Sequence, residues 1–339
     1  MLAVRIDRYG PAESLSLVDV PTPEVGPRDV LIRVYATGLN RLDLLLRDGE
    51  VFQVPLPRIP GTDFAGEIVA VGSEISPSRI GERVFAAPIL SCGVCEHCKA
   101  GEDNLCKYFG TIGSTINGGY AEYVGIPARN AVPLPDQMDW ITGASFGLTY
   151  ATAAAMLRRG QLVADETVLV LGANGGLGYA AVELARSMGA RVIAVNREPQ
   201  SREALLRLGA DAVVEPGPDM ASSVLELTGG KGVQLVFEHV AAATFEQSIA
   251  SLGLDGRLVL GGVTTGTRAP LDLKAVFTKR LQVLGCRGSG RKDLESVLHR
   301  VNSGEVRPNI QQVLPLERAV EAHQLMESGR ILGKIVLTV

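Results

Sequence analysis

Residues 167–178 read TVLVLGANGGLG, and the fold of the chain turns on them. The run TVLVL is short, apolar and rich in β-branched residues, which describes a strand buried on both faces. The following YAAVELARSMG, residues 179–189, spaces its apolar residues as an amphipathic helix does. Between them stands Ala173-Asn174-Gly175-Gly176-Leu177-Gly178, a form of the G-x-G-x-x-G fingerprint with alanine in first place. In that setting Gly175 lets backbone approach a pyrophosphate and Gly178 lets the helix pack on the strand. The helix start offers N–H groups and a positive dipole end to the anion. A glycine string alone would read as a tight turn; flanked by strand and helix, residues 174–178 predict a dinucleotide site.

The same texture continues downstream. ARVIAVN, DAVVE, VQLVFEHV and RLVLGG read as strands, and SREALLRLGA, SVLELTGG and FEQSIASLG as helices. Such alternation implies parallel strands joined by right-handed helical crossovers, a doubly wound α/β sheet. The second strand ends at Asn196-Arg197, where an NAD site offers an acid to the ribose hydroxyls. Arg197, with Arg202, can instead pair with a 2'-phosphate through charge-assisted hydrogen bonds. NADPH is therefore the expected cofactor; the alternative is NADH with Glu198 on the ribose.

Upstream, residues 1–131 carry short apolar runs broken by Pro and Gly, such as LSLVDV, DVLIRVYATGLN and GEIVAVG, and predict an irregular, mostly antiparallel β domain. After Gly266 the chain runs through LDLKAVFTKRLQVLG, two helical patterns and a last strand, GKIVLTV. This stretch is expected to return to the first domain, which would then comprise residues 1–131 and 267–339, with the nucleotide domain at 132–266. A length of 339 residues suits two domains. The net charge is only −4 and basic residues are scattered, so nucleic acid is not an expected partner. MLAVRIDRYG lacks the apolar core of a secretory signal, and the uncharged residues 140–157 are interrupted by hydroxyls and glycines. No membrane contact and a cytoplasmic location are expected.

Four of the five cysteines fall in SCGVCEHCKAGEDNLC, residues 91–106, with the spacing C-x2-C-x2-C-x7-C. Four thiolates complete the tetrahedral shell of Zn(II), so Cys92, Cys95, Cys98 and Cys106 predict one structural zinc in a lobe at 91–107 that staples a loop and leaves no open coordination position. A redox dithiol would not need the third and fourth cysteine. His97 is read as a bystander, and Cys286 as a small buried apolar side chain.

With PGTDFAGEIVAVG, the cysteine lobe, the fingerprint and GKIVLTV in view, the whole chain resembles the medium-chain dehydrogenase/reductase superfamily, the group of zinc alcohol dehydrogenases and quinone oxidoreductases. The resemblance implies a Rossmann domain beside a discontinuous GroES-like catalytic domain, and a small-molecule carbonyl or quinone substrate. It also implies a homodimer or homotetramer. Zinc alcohol dehydrogenases hold a second, catalytic zinc at positions that correspond here to Asn40, Thr62 and Ser145, with Asp63 beside them, and none of these is a good ligand. Leu42 stands where a hydroxyl of the proton relay is expected, and Phe52 where fatty-acyl enoyl reductases carry a catalytic tyrosine. Thr149 is expected beside the nicotinamide, with His239, Val240, Gly262 and Val263 in the loops bordering the cofactor. The resemblance thus implies an NADPH-dependent oxidoreductase without catalytic zinc. It would pass hydride to a quinone or to the C=C of an α,β-unsaturated carbonyl compound, drawing on Asn40, Thr62, Asp63 and Ser145. The alternatives are an alcohol or polyol dehydrogenase with unorthodox ligands such as Asp63 and Asp43, and a non-catalytic NADPH-binding protein.

Overall fold

The strand Thr167–Val170 lies inside a six-stranded parallel sheet, in a computed structural model that describes residues 1–339. The strands run in the order Ala212–Val214, Arg191–Val195, Thr167–Val170, Val233–Glu238, Leu252–Leu260 and Gln282–Gly285. Chain order reverses beside Thr167–Val170, the switch point of a doubly wound sheet. Helices Gly176–Ser187, Arg202–Leu208, Met220–Leu227 and Phe245–Ser251 supply the crossovers. Val168, Leu169 and Val170 are wholly buried, as a strand covered on both faces must be.

This sheet belongs to the second of two compact units, Thr152–Ser289 with Gly304–Val306. The first comprises Met1–Ala151, Gly290–Ser303 and Arg307–Val339. Both boundaries fall about 20 residues later than the change of sequence texture suggests. Strand Ala131–Pro133 pairs with Arg83–Ala86, and Trp140 stacks on Tyr35 at 4.9 Å with the Arg83 guanidinium 4.4 Å from its ring centre, which keeps that stretch in the first unit. At the other end Gln282–Gly285 pairs in parallel with Leu252–Leu260, so the part of 267–339 up to Ser289 extends the nucleotide sheet instead of returning.

The first unit is mainly β. Its seven-stranded sheet is built on Asp29–Gly38, which pairs antiparallel with Asp63–Val71, Tyr123–Pro127 and Lys334–Thr338. Register matters at one end: Gly38 faces Asp63 on one side and Val336 on the other. Two residues further, the chain at Asn40 is therefore level with Lys334. A Cβ at position 38 would lie 2.0 Å from the carbonyl oxygen of Ala144, so only glycine lets the 144–148 segment close over this corner.

Beneath the corner lies a buried polar chain. Arg47, 3% exposed, donates through Nε to Gly10 O at 3.0 Å and approaches His323 Nδ1 at 3.2 Å, and it pairs with Glu327. An arginine only donates, so Nδ1 accepts and the ring proton sits on Nε2, 3.3 Å from the Tyr120 hydroxyl. Burial, and then the Arg47 charge, push His323 down to about 3. The unfolded chain protonates this ring below about pH 6.5 while the folded chain does not, so stability is full above that pH and is lost as pH falls towards 3. Unfolding free energies measured from pH 6.5 to 4 should fall about 3 kcal/mol further for the wild type than for His323→Gln. Parallel curves would remove His323 as a source of acid lability.

Candidate functional site

In the second unit the fingerprint forms a turn from Gly172, at φ +56°, into a helix whose N-cap is Gly175. Its two framing glycines serve different ends. A Cβ on Gly178 would meet Gly172 O at 2.2 Å and Ala173 Cα at 2.8 Å, so close packing of helix on strand requires glycine there. A Cβ on Gly175 would meet nothing nearer than Gly172 O at 3.6 Å. Nothing in the protein demands glycine at 175, which fits a position kept bare for a ligand. Asn174 completes the turn, and Gly176 and Leu177 are the first helical residues, whose N–H groups precede the first bond of the helix, Tyr179 N to Gly175 O. The cradle fits a pyrophosphate.

Around it the loops are knitted by Glu238, expected from sequence only as part of a loop bordering the cofactor. Glu238, fully buried, accepts from Val240 N (2.8 Å), Ala241 N (2.9 Å), Thr244 Oγ1 (2.9 Å) and Ser248 Oγ (2.6 Å). An acid at the end of an apolar strand was the available signal. His239 lies within 2.8 Å of Leu171 O through Nε2, which therefore carries the proton, and its backbone carbonyl accepts from Thr264 Oγ1 at 3.1 Å. A Cβ on Gly262 would come within 2.8 Å of that carbonyl, and Val263 begins the turn closed by Gly266 N.

At the end of Arg191–Val195, Asn196 is buried and folds its amide onto its own turn. Nδ2 donates to Glu198 O at 2.6 Å, and Oδ1 accepts from Glu198 N at 3.2 Å. The Arg197 side chain is 63% exposed, with Glu198 Oε1 3.6 Å away. Arg202 does not join it: its guanidinium donates to Val213 O at 2.7 Å and braces the neighbouring strand.

The polar corner of the first unit gathers Asn40 and Asp63, both singled out from sequence, around Lys334, which was not. Asn40, Asp63 and Lys334 are 3%, 1% and 2% exposed. Lys334 Nζ donates to Leu39 O and Asn40 Oδ1, both at 2.7 Å, and to Asp63 Oδ2 at 3.2 Å. Asn40 Nδ2 donates to Asp63 Oδ2 at 3.1 Å and reaches Gly38 O at 3.4 Å. Asp63 Oδ1 accepts from Leu148 N at 2.7 Å, tying in the segment that leads to Thr149. Asp63 is thus a buried hub. Asp43 accepts from Asn40 N (2.8 Å) and Gly61 N (3.0 Å), and burial pushes its carboxyl up to about 6 against those two bonds.

Thr62 and Ser145 are also fully buried, but their hydroxyls are spent locally. Thr62 Oγ1 donates to Ile112 O at 3.0 Å and Ser145 Oγ to Thr142 O at 2.7 Å. Thr149 Oγ1 lies 3.5 Å from Ser145 O.

The four lobe cysteines converge. Their sulfur atoms all lie within 4.8 Å of one another, with Cys95–Cys98 at 3.4 Å and Cys92–Cys98 at 3.9 Å. Metal–sulfur bonds of about 2.3 Å in a tetrahedron set sulfur–sulfur edges of about 3.8 Å, so the donor set fits Zn(II). Backbone N–H groups of Cys92 and Tyr108 point at Cys106 Sγ and that of Cys95 at Cys92 Sγ, each at 3.4 Å, an arrangement that favours thiolates. His97 is outside the set, half-exposed beside Glu96. Cys286 proves half-buried, 3.5 Å from Gly288 O. The lobe is clamped to the start of helix Arg291–Asn302 by Asp103, which accepts from Arg291 N, and by the Glu102–Lys292 pair.

Two tests follow from this geometry. Gly178→Ala should lower thermal stability by at least about 2 kcal/mol, whereas Gly175→Ala should leave it nearly unchanged and weaken nicotinamide cofactor binding at least tenfold by titration. Equal stability losses would remove the contrast between the two glycines. Cys95→Ser, or zinc removal by a chelator, should lower Tm by roughly 5–15 °C before the folded fraction loses specific activity. An unaltered Tm would show that the lobe holds no stabilising ion.

No helix is long and apolar enough to cross a membrane. Residues 26–136 match the family model for the alcohol dehydrogenase GroES-like domain, and residues 176–303 that for zinc-binding dehydrogenase. An NAD-dependent alcohol dehydrogenase of Sulfolobus acidocaldarius is 31% identical over the full length of both chains. A quinone oxidoreductase of Sus scrofa is 29% identical over 99% of this chain and 97% of its own. The crystal structure of an NAD-dependent alcohol dehydrogenase superposes over all of both chains with a TM-score of 0.94 and 38% identity. The chain therefore belongs to the medium-chain dehydrogenase/reductase superfamily and is an NAD(P)H-dependent oxidoreductase.

Proposed function

We propose that the chain is an NADPH-dependent reductase that delivers hydride to a quinone or to the C=C of an α,β-unsaturated carbonyl compound, with one structural zinc on Cys92, Cys95, Cys98 and Cys106. The observation that carries this reading is the chemistry of the corner at Asn40. Where the superfamily's alcohol dehydrogenases keep metal ligands, this chain has hydroxyls bonded to backbone carbonyls and a carboxamide against a buried ammonium. Such groups do not acidify an alcohol as a metal ion does, but they can meet negative charge arriving on a carbonyl oxygen.

The reduced nicotinamide supplies the hydride when bound. Asn40 then donates through Nδ2 to the substrate oxygen on which charge collects, exchanging its long 3.4 Å contact to Gly38 O for this stronger bond. Near-complete burial of Asn40 gives that hydrogen bond a low-dielectric setting, where it counts most. Asp63 holds the amide from the other side, and Thr62 and Ser145 fix the backbone that frames it. The proton completing the reduction comes from solvent.

A second reading has support in the relative named alcohol dehydrogenase: oxidation of an alcohol or polyol, with Asp63 and Asp43 drawn onto a second zinc. Metal analysis separates the two, since that reading requires two zinc ions per chain. For the first reading, NADPH oxidation should be seen with a quinone or enone panel, NADPH should bind more tightly than NADH, and Arg197→Ala should cost about tenfold in NADPH affinity with little change for NADH. Alcohol oxidation with no turnover of the panel would refute it, and NADH binding as tightly as NADPH would refute the cofactor assignment.

A further inference from the structure

We propose that Lys334 is a positioning residue for hydride transfer, acting through Asn40; the inference rests on the reading of Asn40 as the donor to the substrate oxygen. An ammonium has three N–H bonds, and Lys334 has three acceptors: Leu39 O, Asn40 Oδ1 and Asp63 Oδ2. With all three spent and the side chain 2% exposed, Lys334 has nothing left to offer a substrate directly. What it controls is the amide.

A carboxamide can turn end for end, exchanging an acceptor for a donor, and the surroundings decide which way it points. Here the cation at 2.7 Å fixes Oδ1, and Asp63 Oδ2, 3.1 Å from Nδ2 and 3.2 Å from the cation, fixes Nδ2 along the same edge of the amide. Reversal would set an N–H against an ammonium and a carbonyl against a carboxylate, two repulsive contacts in a buried site. The same cation polarises the amide, because charge drawn towards Oδ1 makes the Nδ2 hydrogens better donors. Lys334 thereby fixes which end of the amide donates and strengthens that donor, without touching the reacting atoms.

Removing the ammonium alone would leave Asp63 buried and unpaired, so the test uses a charge-balanced variant, Lys334→Met with Asp63→Asn, beside Lys334→Arg. Asn40 side-chain amide signals, identified by their disappearance in Asn40→Ser, should shift and exchange faster in the balanced variant and stay close to wild type in Lys334→Arg. For a quinone or enone acceptor, kcat should fall about 100-fold in the balanced variant, with acceptor KM and NADPH affinity within about threefold of wild type. Adding Asn40→Ala to it should cost little more, since both changes remove one effect. Unmoved amide signals, or losses that multiply when Asn40→Ala is added, would overturn the proposal whatever the activity. A wild type that reduces no member of the panel would instead refute the reading of Asn40, while the amide signals would still decide whether Lys334 orients it.

Discussion

Taking an ammonium and a carboxylate out of water is costly, and the first unit is arranged around doing so at Lys334 and Asp63. Their 3.2 Å pairing does not offset the desolvation of both charges unless the remaining lone pairs and protons also find partners. They do: Leu39 and Asn40 take the other ammonium protons, and Leu148 N and Asn40 Nδ2 complete the carboxylate. Loss of one partner alone would cost about 3–5 kcal/mol by stranding the other. The cluster exists because three strands share a register at Gly38 and because that glycine lets the 144–148 segment close over them.

The two units divide the labour of an oxidoreductase along chemical lines. One holds a helix start and a bare glycine suited to phosphate, with Glu238 locking the loops beside it by four hydrogen bonds. The other holds charge buried in a fixed arrangement, close to the amide proposed to meet the substrate. The cysteine lobe belongs to the second task only indirectly. It secures the start of helix Arg291–Asn302 through Asp103 and Glu102, and contributes none of the side chains assigned to chemistry.

Local physics was legible in the sequence, and long-range physics was not. Alternating apolar strands and amphipathic helices announced the doubly wound sheet, because each element's burial is written in its own period. The cysteine quartet was equally plain, since all four donors fall within one lobe. The second unit boundary moved because a run as short as Gln282–Gly285 does not reveal from sequence which sheet it joins, and the first because Ala131–Pro133 and Trp140 pack back onto the first unit. Arg202 looked available to a phosphate until Val213 O claimed it, and Asn196 turned out to be bonded to its own turn. Lys334 was the least legible: a lysine opening a strand reads as solvent-facing, and its acceptors lie 271 to 295 residues away.

That separation has a consequence in time. Ribosomal synthesis at about 5–20 residues per second places Lys334 in the nascent chain roughly 15–55 s after Asp63. Throughout that interval the carboxylate has no counter-ion, and the strand Asp29–Gly38 lacks its neighbour Lys334–Thr338. The nucleotide unit, whose strands all lie between residues 167 and 285, can be complete beforehand. The order of emergence thus runs opposite to the order of the chain: the unit that starts first finishes last, and its polar corner waits for the last strand.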